Sequence, residues 1–370
     1  MSGGMLAGLA NRLRSRDKLR DAWRLDIKSE GERVRRDVRE ALVSDIKRLR
    51  AEQVQLTKTV ASLQTALAEA LDRMERAERR STRTTLRHRL DEKHRALTDR
   101  LSSVLDPDHV ALHVRDAITR AELQLDPFPH MVVDEVVPPE VYALMLRSIP
   151  PVEFFGERDP IKQNLRIPAE DAPELTKQVW DFFDGVVSRE AIVPAVIQRF
   201  EAPLRAHYAT VFGPAWVDRA AALSQSPAGG RVMLRRPGYH LSPHRDPKRS
   251  MLTCLMYLAA PGDDEAYGTK IFRVSDDQES SYTQTYYPEQ NGARCELTKT
   301  VPFRPNSMLV FINGTGAHGA DIPADAPADL ERYSYQFYVG PSSEALAALI
   351  EELPADRREK WRDKRAVTAD

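Results

Sequence analysis

The residues most able to carry chemistry together are two histidines and an aspartate in the C-terminal half of the sequence. His244 and Asp246 lie two positions apart, so on an extended strand both side chains would face the same way. His318, in the glycine-rich segment 314–319, could reach them from another strand, and His240 is the other choice in this part of the chain. Two imidazoles and one carboxylate can hold non-haem Fe(II) with coordination positions left open. A lone His-x-Asp pair is weak evidence, because a surface histidine near an aspartate is common.

A clamp for a carboxylate is indicated further along the chain, at Arg332 and Ser334. Both lie in the alternating segment 331–339 and would share one face of a strand. A guanidinium binds a carboxylate through two parallel hydrogen bonds, and a hydroxyl can add a third. A dicarboxylate whose other end chelates the metal would need such a clamp at its far end. The plainer alternative is an arginine in a salt bridge at a sheet edge.

Short strands would have to position these residues. From Arg231 onward, runs of β-branched and apolar residues alternate with turn segments that contain proline, glycine or asparagine. The runs are Arg231–Leu234, Met251–Leu258, Lys270–Val274, Met308–Ile312 and Tyr333–Val339. Many short strands without helices between them predict a β-sandwich or barrel.

The first 106 residues contain none of the 25 prolines, which permits long helices. Apolar residues recur there at alternating steps of three and four over four heptads, as in the seam of a coiled coil. The seam residues are Ile46, Leu49, Gln53, Leu56, Val60, Leu63, Leu67, Ala70 and Met74. The favoured partner is a second copy of the chain, which predicts a homo-oligomer; the alternative is a second helix folded back from 84–104. The polar segment 79–83 is predicted to break the helix.

Composition argues against several other classes of protein. The net charge of −1 disfavours a general nucleic-acid binder, although residues 1–106 carry 25 Lys and Arg against 17 Asp and Glu. Two cysteines, Cys254 and Cys295, make no disulfide framework and favour a cytoplasmic protein. No run of about 18 apolar residues occurs, so no transmembrane helix is expected. The segment 6–13, with leucines among arginines, leaves peripheral contact with a membrane surface open.

Taken in order along the chain, these motifs resemble the Fe(II)/2-oxoglutarate-dependent oxygenase superfamily, close to its prolyl 4-hydroxylase-like branch. The matching stretches are 127–130 with the strand and helix after it, 232–238, 244–246, 249, 253, 255–258, 268–272, 305–306, 318–319 and 332–334. The resemblance covers residues 126–341 and implies a double-stranded β-helix, or jelly roll, with flanking helices. The predicted α+β organisation is a helical coiled-coil region at 1–106, a linking helix at 107–125, the oxygenase domain at 126–341 and a C-terminal helical tail at 342–370.

The resemblance also implies the cofactors and the residues that would hold them. Fe(II) and the cosubstrate 2-oxoglutarate are implied, with ascorbate as a further cofactor. The implied metal ligands, which are also the catalytic residues, are His244, Asp246 and His318. The implied cosubstrate contacts are Arg332 at the distal carboxylate, Ser334 beside it, and Tyr239, Thr253 and Tyr257.

The sequence departs from the family pattern in two places. The gap between His318 and Arg332 is longer than usual and contains an inserted loop at 320–330, so Lys270 is the reserve anchor for 2-oxoglutarate. Residues 275–300 form a polar insertion, which is either a lid over the substrate or a variable surface hairpin.

The function implied by the resemblance is a dioxygenase that hydroxylates an unidentified substrate and releases succinate and CO2. The substrate could be a small molecule, a peptidyl group or a glycan. Two alternatives stay open. One is a coiled-coil scaffold or interaction protein with a catalytically inactive jelly roll. The other is a cupin-type metal enzyme that does not use 2-oxoglutarate.

Overall fold

The computed structural model describes residues 3–156, 159–276 and 281–362, with side chains from residue 15 onward. The chain divides into two compact units, Met1–Glu78 and Arg79–Asp370. It contains a long N-terminal helix, further helices and two antiparallel sheets, which confirms the predicted mixture of helix and sheet. The predicted domain borders stay predictions. The leucines at 6–13 lie outside the described side chains.

The helices account for the proline-free start of the chain and for the segments that flank the strands. They are α1 Gly3–Thr98, α2 Pro107–Arg120, α3 Pro139–Arg147, α4 Glu174–Asp181, α5 Val193–Arg199, α6 Glu201–Val211, α7 Val217–Ala221, α8 Ser343–Glu352 and α9 Ala355–Glu359, with a π-helical segment at Phe182–Ile192. The predicted break at 79–83 is wrong, because arginine, serine and threonine keep their backbone N–H groups and α1 continues through them. Within the described residues, no helix combines the length and the apolar character that a bilayer crossing needs.

The seam residues of the N-terminal unit project from α1 with large exposed fractions. Ile46 is 48% exposed, Leu63 65% and Met74 69%. Residues 84–98 belong to α1 itself, so they do not form the separate second helix that was the alternative partner. The seam therefore keeps an apolar stripe that a helical partner could bury.

Eleven strands are described in the second unit. They are β1 Leu123–Gln124, β2 His130–Val133, β3 Lys162–Arg166, β4 Gln225–Arg235, β5 His240–His244, β6 Leu252–Tyr257, β7 Thr269–Ser275, β8 Arg294–Val301, β9 Ser307–Ile312, β10 Ala317–Asp321 and β11 Arg332–Pro341. The five strand runs expected from the sequence all appear, at β4, β6, β7, β9 and β11. The larger sheet has the order β1-β2-β9-β6-β11-β4-β3, and the smaller sheet has the order β5-β10-β7-β8.

Side chains of the larger sheet alternate between two cores. One face packs on the helices, where Tyr335 of β11 contacts Trp180 and Phe183 with ring centroids 5.1 and 5.3 Å apart. The other face carries a second apolar cluster that includes Tyr257 of β6 and Phe303. Because successive residues of a strand point to opposite faces, Arg332, Ser334 and Gln336 of β11 share the second face. Arg332 and Gln336 line a cavity on that face.

Candidate functional site

Two neighbouring strands of the smaller sheet bring the predicted metal ligands together. His244 is the last residue of β5, Asp246 follows two positions later, and His318 is the second residue of β10. His318 and His244 are direct partners across the antiparallel pair β5–β10. One ligand atom from each of the three residues lies within 4.8 Å of the others, and all three are buried. The Nε2 atoms of His244 and His318 are 3.8 and 3.9 Å from the two oxygens of the Asp246 carboxylate.

Hydrogen bonding and burial prepare both imidazoles to donate a lone pair. His244 Nδ1 lies 3.1 Å from the carbonyl oxygen of Ser242, so it carries the proton and leaves the lone pair on Nε2, facing Asp246. Burial, followed by the neighbouring His244, lowers the pKa of His318 well below its ordinary value, which keeps that ring neutral at physiological pH. Two imidazoles and a carboxylate fit a divalent first-row metal such as Fe(II).

Thr253 of β6 positions the carboxylate of Asp246. Its buried Oγ1 lies 2.8 Å from Asp246 Oδ2 and 2.7 Å from the side-chain oxygen of Asn313, and Asn313 in turn donates from Nδ2 to the carbonyl of Ser250 at 2.7 Å. A hydroxyl has one proton to donate, so the bond to Asp246 competes with the bond to Asn313. Thr253 was expected to contact the cosubstrate; it lies beside the carboxylate and does not line the cavity.

Replacing Thr253 with valine is expected to weaken metal binding by roughly 10- to 100-fold, the usual effect of losing a hydrogen bond to a metal ligand. Valine keeps the shape of the side chain but leaves Asp246 Oδ2 without its donor. The affinity for Zn(II) or Fe(II) is measured by competition with a chelator. Thr253→Ser, which keeps the hydroxyl, should bind metal nearly as tightly as the unaltered chain, and equal weakening in both variants would contradict this role.

A cavity of about 350 Å³ opens beside the three candidate ligands, and Arg332 lines it. Arg332 is only 3% exposed, and its Nε donates to the carbonyl of Tyr267. Its Nη2 is buried and has no hydrogen-bond partner within the described chain. The buried Oγ of Ser334 has none either, but Ser334 does not line the cavity. Burial is the main cause that lowers the pKa of Arg332 from its ordinary value. A buried guanidinium without a carboxylate is costly, so this wall of the cavity suits an anionic ligand.

The tyrosines predicted to contact the cosubstrate lie around this wall. Tyr239 lines the cavity, with the guanidinium of Arg235 5.0 Å from its ring. Tyr257 is fully buried, and Arg332 lies 5.5 Å from its ring. Burial raises the pKa of Tyr257, and Arg332 partly offsets that shift. The reserve anchor Lys270 forms an ion pair with Asp321 and does not line the cavity, which favours Arg332 as the anchor.

Part of the inserted segment 275–300 borders the candidate metal ligands. The backbones of Arg245 and Tyr286 exchange hydrogen bonds of 2.8 and 3.0 Å, which fixes the segment next to the end of β5. The ring of Tyr287 lies 5.8 Å from that of His244, and Tyr287 lines the cavity. At this point the insertion contributes to the lining of the cavity.

The cavity is also lined by residues to which the sequence assigned no role in the site. They are Lys162, Asn164, Arg231, Met233, Arg235, Leu241, Leu255, Thr269, Thr285, Gly319, Ala320, Gln336 and Tyr338. The alternation of Arg231, Met233 and Arg235 along β4 was a readable signal that the two arginines share a face. Which face they share could not be read without the pairing of the strands.

Comparison with known proteins gives structural similarities only. No family model and no curated protein matches this chain. A prolyl hydroxylase from Trichoplax adhaerens, in complex with a hypoxia inducible factor peptide fragment, is 14% identical, covers 64% of this chain and 92% of its own, and has a TM-score of 0.38. A prolyl-4-hydroxylase from Pseudomonas putida is 16% identical, covers 62% and 98%, and has a TM-score of 0.34. HygX from Streptomyces hygroscopicus, with nickel, 2-oxoglutarate and hygromycin B bound, is 14% identical, covers 58% and 83%, and has a TM-score of 0.34.

In structure, this chain resembles prolyl hydroxylases and other 2-oxoglutarate oxygenases. At these identities and TM-scores the likeness carries no argument about activity, which has to come from the site itself.

Proposed function

We propose that the chain is an Fe(II)- and 2-oxoglutarate-dependent dioxygenase that hydroxylates a substrate and releases succinate and CO2. One observation carries the proposal: His244, Asp246 and His318 converge beside a cavity that is also lined by the buried Arg332, whose Nη2 has no partner in the described chain. A metal centre and an anion clamp in one cavity match the two ends of 2-oxoglutarate, an α-keto acid with a second carboxylate.

The proposed domain fold is a double-stranded β-helix formed by β4 to β11. In support of this, β4, β6, β9 and β11 belong to the larger sheet, and β5, β7, β8 and β10 to the smaller one. The chain thus crosses between the sheets at nearly every connection, as in a jelly roll. In this arrangement β5 and β10 are neighbours in the smaller sheet, and His244 pairs with His318.

The chain's own residues would bind and orient the reactants. His244, Asp246 and His318 would hold Fe(II), and when bound with 2-oxoglutarate and oxygen this ion supplies the oxidant for a C–H bond. Arg332 would bind the distal carboxylate through two hydrogen bonds, with Ser334 as a further donor. The rings of Tyr257 and Phe303, 5.5 and 4.9 Å from that guanidinium, would exclude water from the clamp and strengthen it.

The test of the function is 2-oxoglutarate-dependent succinate release by the full-length protein, supplied with Fe(II) and ascorbate, across small-molecule, peptide and glycan substrates. Succinate release that requires both Fe(II) and 2-oxoglutarate is expected. Protein that binds neither would instead be a scaffold with an inactive jelly roll. Oxygen consumption that persists in Arg332→Ala would point to a cupin-type metal enzyme, although the buried orphan atoms of Arg332 and Ser334 favour an anionic cosubstrate.

The proposal includes self-association through the seam of α1. Apolar seam side chains that are about half or more exposed would be buried by a second copy, at about 25 cal/mol for each Å² of apolar surface. Gln53 at a seam position would select the register and the number of helices.

Full-length protein is therefore expected to have the mass of a dimer or a larger oligomer by light scattering. Leu63→Lys places a charge in the seam and should shift the mass toward that of a single chain. Thr65→Lys puts the same charge on the outer face of the helix, since Thr65 lies two positions beyond the seam, and should leave the mass unchanged. A monomeric mass for the unaltered chain would remove the claim.

A further inference from the structure

The wall of the cavity opposite the small sheet is positively charged well beyond what 2-oxoglutarate needs. In the pairing of β3, β4 and β11, Arg332 lies directly opposite Arg235, and Arg235 lies directly opposite Lys162. Arg231 lies four residues before Arg235 on β4 and therefore on the same face. All four side chains line the cavity, and Asp246 is the one acidic residue among its described lining residues.

None of the three arginines is neutralised by a carboxylate within the described parts of the chain. Arg235, 4% exposed, donates to the carbonyls of Gln163 and Leu234 at 2.8 Å and to the side-chain oxygen of Asn164 at 3.0 Å. Arg231, half-buried, donates from Nη2 to the amide oxygen of Gln336 and to the hydroxyl of Tyr338 at 3.2 Å. These acceptors are neutral, so they orient the guanidinium groups without balancing their charge.

Such an arrangement is unfavourable in the absence of a ligand. Like charges directly opposite each other on neighbouring strands destabilise a sheet, and buried cations without an anion cost more. Coulombic repulsion from Arg235 adds to burial in lowering the pKa of Arg332. Because these cations lie unbalanced at the cavity wall, an anion bound in the cavity would stabilise the folded protein.

The proposed cosubstrate accounts for only part of this charge. The charges of Fe(II) and of the dianion 2-oxoglutarate cancel each other. The four basic lining residues and the one carboxylate of Asp246 then leave a net charge of +3 in the cavity. One carboxylate of 2-oxoglutarate belongs at the metal and the other at Arg332, so the molecule has no third group for Arg231 and Arg235. The unmatched arginines therefore face the remaining occupant of the cavity, which is the substrate.

We propose that Arg231 and Arg235, with the exposed Lys162 at the rim, bind an anionic oxygen group of the substrate, a carboxylate or a phosphate. The inference rests on the proposed function and narrows its substrate to an anion. Exposure falls from Lys162 through Arg231 to Arg235, so positive charge leads from solvent into the cavity and would attract such a substrate. The Nε and Nη1 of Arg231 have no partner in the described chain and are the donors most available to it.

The experiment uses full-length protein loaded with Zn(II), which binds the same ligand types without redox chemistry, and saturated with 2-oxoglutarate so that Arg332 is occupied. Sulfate and acetate are the probes, for tetrahedral and planar oxyanions, with chloride at equal ionic strength as the reference. Binding is followed by calorimetry and by the rise of the unfolding temperature. The variants are Arg231→Gln and, as the matched control, Arg166→Gln. Arg166 is exposed, lies opposite Arg231 on β3 and does not line the cavity.

At least one of the two anions is expected to bind, and Arg231→Gln should weaken that binding about tenfold or more, while Arg166→Gln leaves it within about twofold. A preference for sulfate would indicate a phosphorylated substrate, and a preference for acetate a carboxylic acid. Arg231→Gln should also unfold at the same or a higher temperature without anion, since it removes one unmatched charge.

Two results would overturn the inference while leaving the dioxygenase proposal intact: binding of 2-oxoglutarate with no binding of either anion, or anion binding that Arg231→Gln leaves unchanged. Failure of the unaltered protein to bind 2-oxoglutarate in the first step would instead overturn the dioxygenase proposal, and with it the assignment of the anion to a substrate.

Discussion

Asp246→Asn is expected to weaken iron binding strongly, and to lower succinate release with it, in a protein that still folds. The carboxylate is the one charged group among the three candidate ligands, and a neutral amide is a weaker ligand for a divalent cation. Four-ligand zinc sites bind with about 10–16 kcal/mol, so one ligand contributes about 2.5–4 kcal/mol, or roughly 70- to 900-fold in affinity. Metal content after dialysis and chelator competition measure the loss.

Folding and metal binding can be separated in this variant. The asparagine oxygen can still accept the hydrogen bond that Thr253 donates, so the unfolding temperature of metal-free protein should not fall. The matched control is Asp321→Asn on β10, where the carboxylate is partly exposed and pairs with Lys270. It should keep full metal affinity. Iron retained at normal affinity in Asp246→Asn would mean that the three residues are not the ligand set.

The sequence predicted the components of this centre better than their arrangement. The two-residue spacing of His244 and Asp246 needs only the alternation of an extended chain, and the run at 308–312 correctly implied a strand ahead of His318. The convergence itself depends on β10 lying between β5 and β7, with His318 opposite His244. Alternation tells which side chains share a face, but it does not tell which strands are neighbours.

Two parts of the site could not be read from the sequence, for the same physical reason. The contact of Thr253 with the cosubstrate stays a prediction, whereas its hydrogen bond to Asp246 depends on where β6 lies in the sheet. Arg235 lies in the matching stretch 232–238 and Arg231 just before it, but neither was assigned a role in the site, and they become notable because β11 sets Arg332 beside them. The break expected at 79–83 rested on local composition alone, which is a weak signal where no proline or glycine interrupts a helix.

Arg332→Gln is expected to weaken 2-oxoglutarate binding by roughly 30- to 5000-fold, because truncating one partner of a buried charge pair costs about 2–5 kcal/mol. Metal affinity should be unchanged, since Arg332 binds none of the three candidate ligands. The dissociation constant is measured by anaerobic titration of the iron-loaded protein. Arg332→Lys keeps the positive charge but cannot form two parallel hydrogen bonds. Its affinity for 2-oxoglutarate should lie between those of the unaltered protein and Arg332→Gln.

The difficulty with this variant is that Arg332 also packs on Tyr257 and Phe303, so its loss could disturb the fold. The stabilisation that 2-oxoglutarate adds to each protein removes this ambiguity, because it depends on binding and not on the starting stability. At one hundred times the dissociation constant a ligand adds about 2.7 kcal/mol, and Arg332→Gln should lose most of that gain at the same concentration. Lys270→Gln, which only breaks the ion pair with Asp321, should keep the full stabilisation by 2-oxoglutarate. If Lys270→Gln lost the stabilisation and Arg332→Gln kept it, Lys270 would be the residue that binds 2-oxoglutarate. Arg332 would then be assigned to binding the substrate.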